Sequence, residues 1–195
     1  HCCQDENAIR ELLERIFGGK PLQSAVSEHA AVENEIRNRL LKAGGAAFVP
    51  EDPATFLPME TVRQIILAAG GIPTYPFLGD DPNGQYTDFE RDLEKTAALL
   101  KERGFYSVEF ISARNELSLL EKYAGYLHEA GFIVTFGTEH NTPAMEPIEP
   151  MARHKVPLTP RLQQINFEGA CVIAAHQHLV KQGLTGYVDA NGTAA

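Results

Sequence analysis

Residues 132–143 read F-I-V-T-F-G-T-E-H-N-T-P. Apolar and β-branched residues run into Gly137, and Glu139, His140 and Asn141 follow at once. A short apolar run that ends in glycine and then polar residues reads as the carboxyl end of a buried parallel strand. In α/β folds that end carries the chemistry. A neighbouring Glu and His can ligate a metal or exchange protons. The same residues also fit a capped loop after a core strand, and the pair alone does not choose between these.

Upstream, the same rhythm repeats. Residues 105–111 form another strand, the third in chain order, with Tyr106, Val108 and Phe110 alternating with Ser107, Glu109 and Ile111. Residues 72–76 read as a strand limited by Pro73 and Pro76, and residues 46–49 as a weak first strand. Helical spacing covers residues 59–69, 88–103 and 115–130, each closed by glycine. Helix, glycine, strand and polar loop thus recur about every 25–35 residues, the size of a βαβ unit. The expectation is an α/β fold with about four parallel strands and flanking helices, joined by right-handed crossovers.

The flanks are simpler. Residues 6–17 and 24–43 read as two helices, a helical lead-in over residues 1–43. Residues 144–160 are a proline-rich crossing segment, residues 161–183 a last helix, and residues 189–195 a tail. The whole is expected to be one α/β domain, since 195 residues suffice for one good core.

Composition narrows the function. The formal charge is −9, which repels phosphate backbones and argues against nucleic acid as a partner. No apolar run reaches the ~20 residues of a membrane span, so no membrane partner is expected. Three cysteines, two of them adjacent, do not form a disulfide framework, and a reducing, cytoplasmic setting fits best. Cys171 reads as a small core residue.

Each strand end gathers polar residues: Thr74, Tyr75, Asp80 and Asp81; then Glu109, Ser112, Arg114 and Asn115; then Thr138, Glu139, His140 and Asn141. Parallel strands would bring these to one rim. Carboxylates with imidazole suit a divalent cation such as Zn, Mn or Mg. The planar fork of Arg114 suits a phosphate or carboxylate. Glu109 sits in V-E-F-I, where a buried carboxylate is costly unless paired or metal-bound. Asn115 can cap the next helix. Asp80 to Gly84 reads as a turn. His176 and His178 lie about 200° apart on a helix and cannot share a metal; His176 is expected to be packed and His178 to face solvent. His29, His128 and His154 show no supporting carboxylates and read as surface residues. No P-loop, G-x-G-x-x-G, G-x-S-x-G or C-x-x-C is present.

The stretches G-G-I-P-T-Y-P (70–76), S-V-E-F-I-S-A-R-N (107–115), G-T-E-H-N-T-P (137–143) and E-G-A-C-V-I-A-A-H-Q (168–177) together resemble the C-terminal half of the polymerase-and-histidinol-phosphatase (PHP) family. The resemblance spans roughly residues 45–192. It implies part of a distorted (β/α) barrel that holds divalent metals at the strand carboxyl ends and hydrolyses phosphoesters with metal-activated water. On that reading Glu139 and His140 are catalytic, Glu109, Glu139 and His140 are metal ligands, and Arg114, Asn141 and Tyr75 contact a small phosphorylated substrate. The family's opening H-x-H is absent before the first helix, its late Asp-x-His is replaced by adjacent Glu139 and His140, and the chain starts at His1. The expectation is therefore the C-terminal part of a larger barrel, completed by a missing N-terminal half or by a homo-oligomer. Two alternatives stay open: a metal-dependent sugar isomerase on a similar barrel, and a non-catalytic barrel half that binds or regulates.

Overall fold

The computed structural model describes residues 5–81, 83–138, 140, 143 and 147–194. The chain divides into two compact units: His1–Phe56 with His140–Glu146, and Leu57–Glu139 with Pro147–Ala195.

In the first unit, α1 (Glu6–Ile16) is capped by Asp5, whose side chain accepts the Asn7 N–H. Its stripe residues Ile9 and Leu13 pack against Phe17, Leu22, Val26 and Val32. The second helix is shorter than its periodicity predicts. It comprises α2 (His29–Ile36) and a π-helical turn over Arg37–Leu41. Glu35 explains the shortening. Its carboxylate accepts the N–H groups of Gln23 and Ser24 and the Ser24 hydroxyl, at 2.9–3.1 Å, and pairs with Arg39 at 2.6 Å. That holds residues 23–24 outside the helix. The weak strand expected at residues 46–49 does not form. Left-handed Gly44 turns the chain back, and Ala47 N–H reaches Leu40 O instead of a sheet partner.

In the second unit, α3 (Met59–Ala68) leads through Gly70 and Gly71 into β1 (Thr74–Phe77). Then follow α4 (Leu93–Glu102), β2 (Ser107–Ile111), α5 (Leu117–Glu129) and β3 (Ile133–Gly137). The strands form one parallel sheet in the order β1-β2-β3, with Tyr75, Val108 and Val134 in register. A short antiparallel pair, β4 (Met151–Ala152) with β5 (Val156–Pro157), precedes α6 (Pro160–Lys181). So the parallel sheet has three strands among the described residues, not four, and they do not close into a barrel.

Strand alternation gives the sheet two unlike faces. Phe77, Val108, Phe110, Val134 and Phe136 point to one side and pack with Leu100 of α4 and Leu120, Tyr123 and Leu127 of α5. Pro76, Glu109 and Thr135 share the other side, where Glu109 is exposed. The carboxylate that looked expensive in a buried strand is therefore hydrated.

The β3 side of the sheet is met by α6. Asn166 Oδ1 accepts the Phe136 N–H at 2.9 Å. At Gly169 any side chain would overlap the Val134 carbonyl oxygen and press on Thr135. Farther along α6, buried His176 binds Gly70 O through Nε2 and accepts Tyr187 N–H at Nδ1, both at 3.0 Å, which fastens the chain beyond the helix. Cys171, expected in the core, is exposed. It lies two positions from Gly169 and so faces away from the sheet.

Two outcomes check this description. Gly169→Ala should lower stability by about 1–3 kcal/mol through overpacking, read as a lower urea midpoint. Burial pushes the Glu35 carboxyl up, but the Gln23 and Ser24 donors and Arg39 outweigh it and leave it below its ordinary value of 4.5. Its contribution is then present above the unfolded value and fades as pH falls through the lower folded one. The Gln23 and Ser24 amide resonances should shift with a midpoint below pH 4.5, whereas Glu35→Gln should displace them at every pH.

Candidate functional site

Beyond the carboxyl ends of β1 and β2 lies a cavity of about 590 Å³. Its lining includes Leu78, Gly79, Asp81, Ala113, Arg114 and His154. Its floor follows from the chain just past β1. Glu90 is fully buried, and its carboxylate accepts Leu78 N–H, Gly79 N–H and the Tyr75 hydroxyl at 2.9–3.1 Å. A buried carboxylate with three donors is satisfied, and it fixes where residues 78–79 run. Gly79 is left-handed, and a Cβ there would stand 2.5 Å from Asn115 Nδ2. Only glycine fits.

Asn115 closes the β2 side. It is fully buried and donates to Leu78 O at 2.8 Å and to Asp80 O and Oδ1 at 3.2 and 3.1 Å. It is not the cap expected from the sequence. Glu116 takes that position, and Asn115 ties the loop after β1 to the loop after β2.

Arg153 closes the third side. Its guanidinium donates to Asp80 Oδ2, Asp80 O and Glu116 Oε1, each at 3.0 Å, and also to the Arg114 carbonyl. Its backbone N–H binds Asn115 O at 2.8 Å. These bonds set residues 153–154 beside residues 114–115. His154 therefore reaches the cavity near Arg114, with Nε2 3.9 Å from Glu116 Oε1. His154 and Lys155 are the only left-handed non-glycine residues among those described, and they turn the chain between β4 and β5.

Opposite charge comes from Asp81. Its Oδ1 accepts Asn83 N–H and Gln85 N–H at 2.8 Å, which confirms the turn read in the sequence. The Gln85 N–H first, then Asn83 and the charge of Arg153, hold its carboxyl below the usual carboxylate range. Asp81 is therefore an acceptor at neutral pH. The lining combines apolar Leu78 and Ala113, the Asp81 carboxylate and the Asp80–Arg153 pair with Arg114 and His154.

The predicted site residues are divided. Arg114 lines the cavity. Tyr75 and Glu109 are not among the described residues that do. Tyr75 lies on the packed face against Phe77 and Phe89, and burial together with the Glu90 charge pushes its hydroxyl up, so it stays a donor to Glu90. Glu109 lies on the open face, with Oε1 over Gly137. His140 belongs to the first unit. Glu139 and Asn141 lie outside the described residues. Among the described residues no three His, Cys, Asp or Glu side chains converge, so these residues do not by themselves fit a divalent ion and no step is assigned to one.

Sequence reasoning passed over Arg153, read His154 only as a surface residue, and placed Asp80 at a strand end without its partner. The signal was the basic run Arg153-His154-Lys155 inside a segment read only as crossing loop. His128, also read as unsupported, contacts Glu168 at 2.8 Å. Among the described residues no helix is long and apolar enough to cross a membrane. No protein-family model matches the chain, and no match was found among curated proteins or solved structures.

Arg153→Met should cost about 3 kcal/mol, because it strands the buried Asp80 carboxylate. Adding Asp80→Leu should return part of that loss. Chemical denaturation of both variants reads the difference.

Proposed function

We propose that the chain is a phosphoester-hydrolysing α/β protein whose strands belong to a PHP-like (β/α) barrel. The observation that carries the reading is the cavity past β1 and β2, with Arg114 and His154 at one edge. A guanidinium and an imidazole lining one cavity are apt for a phosphate: the first offers paired donors and a fixed charge, the second a ring N–H donor. Helices that pack one sheet face while a carboxylate stands on the other also agree with strands taken from a barrel wall.

The chain's own residues would divide the work. Arg114 holds the phosphoryl group, and His154 supplies or takes a proton at the bridging oxygen. Glu90, Asn115 and Arg153 keep the three loops in place. Glu139 and His140 enter this reading only as what the family resemblance implies.

The test is hydrolysis of p-nitrophenyl phosphate by the purified chain with Mn, Mg or Zn added. Arg114→Ala should raise KM about tenfold, the worth of one charge-assisted bond. Glu139→Gln with His140→Asn should remove at least 100-fold of the rate. Activity indifferent to all three substitutions would end the proposal. Phosphate binding without turnover under any metal would favour the binding-domain alternative.

A further inference from the structure

The cavity is bipolar, and that restricts what can occupy it. Arg114 and His154 both line it, and Arg153 ties their segments together by bonding Arg114 O and Asn115 O. The loop after β1 supplies different chemistry. Asp81 is a charged acceptor, Gln85 and Thr87 also line the cavity, and Leu78 and Ala113 form its apolar wall. Thr87 Oγ1 accepts Glu90 N–H at 3.1 Å, which leaves its own proton for a ligand oxygen.

A bare phosphate uses only the basic edge. An aryl phosphate uses that edge and the apolar wall, but leaves Asp81 facing an apolar group. A polyphosphate or nucleic-acid strand brings further negative charge toward Asp81 and meets repulsion. A phosphomonoester bearing several hydroxyls satisfies every side, because each hydroxyl donates to a carboxylate and accepts from an amide or alcohol. The volume, about 590 Å³, lies within the range of sites for small organic ligands.

We propose that this cavity selects a phosphorylated polyol, a sugar phosphate in chemical class. Its phosphate lies at Arg114 and His154, and its hydroxyls lie at Asp81, Gln85 and Thr87. The inference rests on the phosphoester reading of the same cavity, and its test separates the two.

Calorimetric titration of the intact chain with glucose 6-phosphate, inorganic phosphate, phenyl phosphate and glucose reads selectivity without turnover. Glucose 6-phosphate should bind about tenfold more tightly than inorganic phosphate or phenyl phosphate, and glucose more weakly than all three. Gln85→Leu and Asp81→Asn should each bring glucose 6-phosphate to the level of inorganic phosphate and leave inorganic phosphate unchanged. Arg114→Ala should weaken all three phosphates together. Because Asp81 also organises its own turn, Gln85→Leu guards against a folding artefact. Equal affinity for glucose 6-phosphate and inorganic phosphate would overturn the inference, as would a Gln85→Leu protein that keeps the preference. Hydrolysis of phenyl phosphate with no hydroxyl preference would sink this inference alone. Selective sugar-phosphate binding without hydrolysis would sink the hydrolase alone.

Discussion

Arg153 is the interaction on which the second unit's rim depends. The loops after β1 and β2 and the segment after β3 are separate in the chain and, among the described residues, share no β-ladder with one another. One guanidinium reaches the Asp80 carboxylate, the Asp80 and Arg114 carbonyls and Glu116. A lysine ammonium could neutralise Asp80, but its compact head lacks the planar fork needed to serve four acceptors in several directions. Asp80 is buried, so the pair's charge is not screened by solvent, and its geometry is correspondingly exacting. Asn115 works beside it by donating to two carbonyls and to Asp80. Rim shape is thus set by side chains rather than by regular structure.

This explains what could be read in advance. The α/β order, the parallel sheet and the final helix followed from local pattern. Glycines at 70, 104 and 131 mark helix ends, and apolar runs mark strands. Expectations failed where a side chain reached backbone far along the chain. Glu35 shortened α2 by capturing residues eleven and twelve positions away. Asn115 left its cap for carbonyls more than thirty residues distant. Arg153 and His154 looked like loop residues, because nothing local marks a guanidinium whose partner, Asp80, lies seventy-three positions upstream. The place of Arg114 at the cavity was legible because a basic residue just past a strand is a local signal. Glu109 was misplaced because period-two alternation fixes which side of the strand a residue takes but not which side is covered.

The sheet's two faces differ in kind. Parallel sheets are commonly covered on both sides. Here the Phe77, Phe110 and Phe136 face is closed by helices, while Glu109 stands in water on the other. The aromatic contacts that stiffen the closed face, such as Phe77 with Phe110 at 4.8 Å, lie directly below the strand ends from which the cavity loops depart. The loops therefore spring from a packed aromatic layer.

The meeting of α6 with β3 bears on how this molecule resists self-templating. An outermost strand with free amides and carbonyls invites a foreign strand to add, the first step toward amyloid-like growth. Here the Phe136 amide is already taken by Asn166, and helix backbone lies against the Val134 carbonyl where Gly169 permits it. On the β3 edge an intruder would have to peel away a twenty-two-residue helix before making its first bond.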